Sequence, residues 1–224
     1  MMPITVDKRV QAEIFDDFFY LDTAATNGAW AVVKGTGGAL AVNTTKAGGW
    51  INIPTAASAS DYQLLATQQK FFNPLKSGWL EASILVTEAS TNSSNWAIGL
   101  SSITTTGWMV ASSAGPPTSF DGAAIFKTGG AMAVKGITSV TTTQTTSATI
   151  ATAVTAVGLR LGIHWDANDG VTARVRFLVN GVVQATQNVT IGTNNLFPFM
   201  TMMAAAGGTA ETLNVDYFRC VVDR

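Results

Sequence analysis

Few residues in this chain have the type and spacing to do chemistry. Glu81 and Glu88 share the stretch WLEASILVTEAS, and hydrolysis of a glycan needs two carboxylates on one face, roughly 5 to 9.5 Å apart. Seven positions is an odd separation. In a strand it sends the two side chains to opposite faces, on the order of 20 Å apart at about 3.3 Å per residue. Asp16 and Asp17 are neighbours and diverge in the same way. The single histidine, His164 in GIHWDANDG, shares a strand face with Asp166. No GxSxG elbow supplies a serine to complete a triad, so His164 reads as a strand-end residue beside a turn. No catalytic residue is assigned, and the chain is not expected to be an enzyme.

Binding chemistry is almost as sparse. Asp166, Asn168 and Asp169 lie in one loop and could offer oxygens to calcium. The spacing DANDG departs from an EF-hand, whose Gly comes later and whose shell closes with a distant Glu. Asp and Asn also suit turns without any ion. These three are the candidate metal ligands, and no other cofactor is indicated. No Gly-rich loop runs into Lys-Ser or Lys-Thr to cradle phosphate. Six tryptophans remain: Trp30, Trp50, Trp79, Trp96, Trp108 and Trp165. Aromatics inside strands are mostly core. Trp108 has polar flanks in TTTGWMVASS, so it is the one expected to face outward and to touch a glycan or a partner surface. Sequon-like triplets begin at Asn43, Asn92 and Asn188 and carry meaning only on a secretory route.

Composition narrows the function classes. The chain has 224 residues, of which 47% are hydrophobic and only 12% charged, against roughly 25% charged in an ordinary soluble domain. The surface must be built largely of Ser, Thr, Asn, Gly and Ala, which repel neighbours weakly and suit packing against other subunits. A net charge of -1 and a pI near 5.7 leave no electrostatic footprint for nucleic acid. Lys and Arg are scattered, without a cluster for anionic lipid. No segment has the length and apolarity of a transmembrane helix, and MMPITVDKRVQAEIF lacks the apolar run of a signal peptide. Synthesis in a cytoplasm, with later placement by assembly, is the expectation. Cys220 sits in an apolar strand and reads as a buried, inert thiol.

The elements that must position these residues are strands. ARVRFLVNGVVQAT, residues 173–186, is two β-rich arms around Asn180-Gly181, the pair a type I′ turn requires. Val175, Phe177 and Val179 share one face of the first arm, and Arg174, Arg176 and Leu178 the other. Further strands are expected at Phe15–Leu21, Trp30–Lys34, Ala39–Asn43, Trp50–Ile53, Trp79–Thr87, Asn95–Ser101, Trp108–Ala111, Gly122–Phe126, Ala131–Val134, Gly158–Trp165, Phe197–Ala204 and Leu213–Val222. DYQLLATQQKFF, residues 61–72, approaches helical spacing and fits a strand pair equally. The Thr-rich stretch 138–155 reads as exposed edge strands or a long excursion. Its edge carries neither Lys nor Pro to block pairing with another chain. Strands at this spacing, with no alternating helices, indicate an all-β fold: a two-sheet antiparallel sandwich. Residues 13–224 form a single β-sandwich domain, preceded by an N-terminal arm, 1–12.

Four strings occur in order along the chain: FDDFFYLDTAATNGAW, SGWLEASILVTEASTNSSNWAIGLSS, VRFLVNGVVQAT and ETLNVDYFRCVVDR. Together they resemble a group of tailed-bacteriophage virion proteins with a concanavalin A-like jelly-roll domain, many of them head decoration or cement proteins. The resemblance implies a two-sheet jelly roll and a structural role on a capsid surface. It also implies self-association into a homo-oligomer and contact with the major capsid protein. It brings no catalytic residues. The expected location is the virion, after synthesis in the bacterial host cytoplasm. Because glucanases and lectins share this fold, a lectin-like carbohydrate-binding module is the alternative.

Overall fold

The period of two that runs through the sequence becomes sixteen strands and no helix among the described residues. In this computed structural model those residues are 6–7, 11–18, 29–36, 38–43, 49–88, 93–105, 108–110, 114–205 and 208–223. In chain order the strands are β1 (Val6–Asp7), β2 (Gln11–Asp16), β3 (Trp30–Lys34), β4 (Ala41–Asn43), β5 (Trp50–Pro54), β6 (Tyr62–Thr67), β7 (Gly78–Thr87) and β8 (Ser94–Ser101). They continue as β9 (Gly122–Lys127), β10 (Ala133–Val140), β11 (Thr143–Thr152), β12 (Gly158–Ala167), β13 (Thr172–Val179), β14 (Val182–Thr190), β15 (Phe197–Ala204) and β16 (Thr212–Asp223).

Two antiparallel sheets stack face to face. The larger has nine strands, ordered β1-β2-β16-β7-β12-β13-β14 with β5 and β4 joined through β16. The smaller has seven, ordered β11-β10-β9-β8-β15-β6-β3. One core fills the space between them. Leu80, Ala82, Ile84 and Val86 of β7 meet it from the larger sheet, and Trp96, Ile98 and Leu100 of β8 from the smaller. The alternation expected of the 173–186 hairpin holds: Val175, Phe177 and Val179 are buried, and Arg174, Arg176 and Leu178 face outward. Its turn has φ of 51° at Asn180 and 81° at Gly181, the left-handed pair that a type I′ turn demands. Glycine also sets the distance between the sheets. A Cβ on Gly136 of β10 would lie 2.5 Å from the Phe177 ring, so that ring seats directly on backbone.

A second apolar cluster lies on the outer face of the smaller sheet. It joins Leu64, Ala66, Ala124, Phe126, Ile137, Phe199 and Met203 to Trp108, Met109 and Phe120. The last three belong to the connection between β8 and β9, which crosses that face. The smaller sheet is thus covered on both sides, and this explains why residues 61–72 mimic a helix in sequence. In β6, Gln63, Leu65 and Thr67 are buried toward one side and Leu64 and Ala66 toward the other. A strand covered on both faces loses the apolar–polar alternation. The segment is a strand, with Phe72 bridging Leu196 beyond it.

Several boundaries move. The strand expected at Phe15–Leu21 runs instead over Gln11–Asp16, and 19–21 lie outside the described residues. A boundary at residue 12 therefore falls inside β2, where Gln11 and Ala12 pair with Asp223 and Val222. The described part of the expected arm is sheet. Of the strand expected at Trp108–Ala111, the described residues 108–110 form none, Val110 making one bridge to Gly115, and Ala111 lies outside the described residues. The strand expected at Ala131–Val134 extends as Ala133–Val140 and turns into β11, the exposed edge of the smaller sheet. Residues 143–152 of the Thr-rich stretch are thus an exposed edge strand, as one of its two sequence readings required, whereas 138–140 end β10 with Thr138 and Ser139 buried.

Candidate functional site

The carboxylates singled out in the sequence separate as their spacing demands. Glu81 faces outward from β7, where it accepts a hydrogen bond from the Tyr217 hydroxyl at 2.5 Å and lies 3.6 Å from Arg160 Nε. Burial and the Glu81 carboxylate together push the Tyr217 hydroxyl far above the usual phenol range. Glu88 faces inward, against Lys127. Asp16 is also internal, accepting from the Phe18 amide at 2.8 Å and Trp30 Nε1 at 2.7 Å. Burial raises its pKa, and those two hydrogen bonds only partly oppose the rise. These acids are structural anchors, Glu81 on the outer face of the larger sheet and Glu88 and Asp16 in the interior, each with its own partners. His164 stands in register between Trp79 and Arg176 on the outer face of the larger sheet. Its sequence neighbour Asp166 is held by Arg176 at 2.6 Å.

That ion pair also breaks up the candidate metal loop. With Asp166 committed to Arg176, Asp169 closes its own turn, accepting from the Val171 and Thr172 amides at 2.8 and 2.6 Å. Those backbone bonds hold its carboxyl below the usual range. Among the described residues no three His, Cys, Asp or Glu side chains lie close enough to share an ion. Cys220 is fully buried, and burial pushes its thiol far above the normal range, in line with an inert core residue.

Trp108 corrects the expectation drawn from its polar flanks. It does not face solvent: it is 1% exposed. Its ring lies 4.6 Å from Phe199 and 5.1 Å from Phe120, and its Nε1 donates to Ser101 Oγ at 2.9 Å. Trp108 pins the β8–β9 connection to the sheet. Asp121 fastens the far end, accepting from the Thr141 amide and from Asn194 Nδ2, each at 2.7 Å.

Pinned in this way, the connection forms a ridge that divides the outer face of the smaller sheet. On one side lies an apolar groove of about 290 Å³, walled by Tyr62, Ile103, Trp108, Met109 and Met203. On the other lies a larger groove of about 550 Å³, between residues 114–118 of the ridge and strands β9 to β11. Its floor is Phe126 and Ile137. Thr118, Thr128, Thr146, Gln144 and Lys135 supply hydroxyl, amide and ammonium groups around it. Gln144 Nε2 donates to the Pro117 carbonyl at 2.6 Å, which ties the edge strand β11 to the ridge. An apolar floor ringed by a few convergent polar groups is the usual build of a small-ligand site, and this groove is the candidate site. The groove is not visible in the sequence because its residues come from four separate segments. One signal was available: Lys135 is the only charged residue between Lys127 and Arg160.

Comparison with known proteins identifies the fold. No family model and no curated protein sequence matches the chain. Solved structures do. A protein of unknown function from Shewanella oneidensis MR-1 superposes with a TM-score of 0.66 at 12% identity, covering 99% of this chain and 90% of that one. The metal-free carbohydrate recognition domain of Emp46p matches with a TM-score of 0.62 at 9% identity, over 91% of this chain and 93% of that one. Peanut lectin matches with a TM-score of 0.59 at 10% identity, over 95% and 97%. The chain therefore has the two-sheet sandwich of legume-lectin-like, concanavalin A-like domains.

Proposed function

We propose that this chain is a non-catalytic carbohydrate-binding module whose glycan lies in the groove between residues 114–118 and strands β9 to β11. The observation that carries this reading is the lining of that groove. Thr118, Thr128, Thr146 and Gln144 offer hydroxyl and amide partners beside an apolar floor at Phe126 and Ile137. A sugar has the same two-sided chemistry, hydroxyls at its rim and C–H bonds on its face. The fold supports the reading, since carbohydrate recognition domains are among its structural neighbours. The carboxylates that could have served hydrolysis are spent elsewhere, Glu81 on Tyr217 and Arg160, and Glu88 on Lys127. This reading gives calcium no place in the 166–169 loop, whose acids are engaged in an ion pair and a turn. Glycan-array screening followed by titration calorimetry tests the proposal. Gln144→Ala and Thr128→Val should each weaken the selected glycan at least tenfold, and Trp108→Phe should not. Binding unaffected by either groove substitution would overturn it.

A second reading, a structural module on a virion surface, draws on a different feature. β11 and β14 are the edges of the two sheets on one flank, and neither strand contains a charged residue. Val182 and Val183, at the start of β14, are 59% and 47% exposed. Such a flank suits packing against a second copy or a major capsid protein. Light scattering and co-sedimentation with empty phage heads test it. Thr186→Lys on β14 should abolish any assembly seen while leaving the fold intact.

A further inference from the structure

Lys135 occupies an unusual position for a cation. It projects from β10 onto the outer face of the smaller sheet, in register with Phe126 on β9 and Thr149 on β11. It lines the larger groove and is half-buried there. Of the other described cations, Lys34, Lys70, Lys76 and Arg174 are exposed to water, and the remaining four have acids to meet. Lys127 meets Glu88, Arg160 meets Glu81, Arg176 meets Asp166 and Arg219 meets Glu13. Among the described residues no carboxylate lies within 4 Å of Lys135.

The sequence shows that the groove's own walls cannot supply one. The ridge segment 102–120, SITTTGWMVASSAGPPTSF, contains no charged residue. The walls formed by 128–159 contain none besides Lys135 itself. A lysine half-buried in a groove floored by Phe126 and Ile137 loses part of its hydration, and a bound anion restores what is lost. The hydroxyls of Thr128 and Thr146 would stand around that anion as donors.

We infer that the glycan held in this groove is acidic, with a carboxylate or sulfate ester placed against Lys135 Nζ. This rests on the groove being the glycan site and adds to it the class of sugar: a uronic or sulfated residue. Neutral sugars would satisfy the threonines and Gln144 but leave the ammonium uncompensated.

The test compares matched ligands on the full chain by calorimetry at low salt. Tetragalacturonate is set against its full methyl ester, which keeps the shape and removes the charge. A sulfated galactan tetrasaccharide is set against its desulfated form. In at least one pair the anionic ligand should bind about tenfold tighter than its neutral partner, with 0.5 M salt removing most of the difference. The pair that responds tells carboxylate from sulfate. Lys135→Met should abolish the preference at an unchanged melting temperature, and Lys135→Arg should keep it. Equal binding of both members of each pair, or a preference that survives in Lys135→Met, overturns the inference while leaving a glycan module standing. If no oligosaccharide of either kind binds in the groove, the parent proposal and this inference fall together.

Discussion

Lys127 Nζ lies 2.8 Å from Glu88 Oε1 with side-chain exposures of 0% and 6%, so a single ion pair closes one end of the core between the two sheets. The geometry follows from parity. Glu88 continues the inward series Leu80, Ala82, Ile84 and Val86 of β7, and Lys127 continues Ala123 and Ile125 of β9. The ammonium also donates to the Ser94 carbonyl at 2.9 Å, and Ser94 donates both its amide and its hydroxyl to Glu88. Removing one partner of such a pair strands the other charge, at a cost of about 3–5 kcal/mol, whereas replacing both by apolar residues is often neutral. Lys127→Met and Glu88→Leu should each lower unfolding free energy by that order in urea melts, and the double variant should recover most of it. Additive losses in the double variant would show that the two side chains act independently.

The same pair predicts an acid limb. Burial alone would raise the Glu88 pKa, but hydrogen bonds from Lys127 and Ser94 outweigh it and hold the carboxyl below its ordinary value of 4.5. A lowered native pKa stabilises the fold above the unfolded value and is lost as pH falls through the native one. The stability gap between the parent chain and Glu88→Gln should therefore be constant above about pH 5 and shrink steadily below pH 4.5. Asp16, raised by burial, has the opposite sign. Asp16→Asn should gain on the parent as pH rises above about 4 and level off once the native carboxyl has ionised, measured by the same melts across pH.

Gly136 and Phe177 provide a steric test of how the sheets are spaced. With the Phe177 ring 2.5 Å from where a Cβ would stand, Gly136→Ala must push the sheets apart or tilt the ring. Overpacking of this kind costs about 1–3 kcal/mol. Phe177→Leu, which makes a cavity by itself, should partly rescue Gly136→Ala. Strict additivity in a double-mutant cycle would show that the two residues do not share the space.

How much of this was readable in the sequence depends on what lies on each side of a strand. The first arm of the 173–186 hairpin was legible because one face meets core and the other water, and Asn180-Gly181 admits one turn type; the register shift between Phe177 and Leu178 was not. The outward Glu81 and inward Glu88 were separable for the same reason. β6 was ambiguous because the β8–β9 connection buries its second face, and a sequence carries no mark of what will later cover it. Trp108 was misjudged by its flanks: Thr and Ser around it indicate a connection, which is true, but say nothing of which way the one large side chain turns. The groove itself depends on Lys135, Gln144 and residues 114–118 meeting across a tertiary gap.

Trp108 should behave as the pin of the ridge. Trp108→Ala removes a side chain packed on Phe120 and Phe199, a loss of about 3–5 kcal/mol by large-to-small core substitution. The substitution would free the connection from the sheet. Amides of the described residues 114–120 should then exchange hydrogen faster than in the parent. Trp108→Phe, which keeps the ring contact but loses the bond to Ser101, should change exchange much less. If Trp108→Ala leaves exchange in 114–120 unaltered, Asp121 alone holds the ridge.

The uncharged edge of β11 raises the question of what keeps it from pairing with another chain. Its register against β10 shifts twice, between Val134 and Lys135 and between Lys135 and Ile137. At that point Ser147 Oγ accepts the Gly136 amide at 2.8 Å, where a regular ladder would use a carbonyl. Bulges bend and twist an edge and so spoil it as a template, which lets an edge without Lys or Pro stay unpaired. Ser147→Ala removes the acceptor and leaves the amide of buried Gly136 without it, a cost of about 1–3 kcal/mol. The bulge should then relax toward regular pairing and flatten the edge. We expect Ser147→Ala to scatter more light than the parent at equal concentration, at temperatures where both remain folded, with Ser147→Thr close to the parent. A variant that is less stable yet scatters no more would mean that the bulge serves the Gly136–Phe177 contact behind it, and that the edge is guarded by other means.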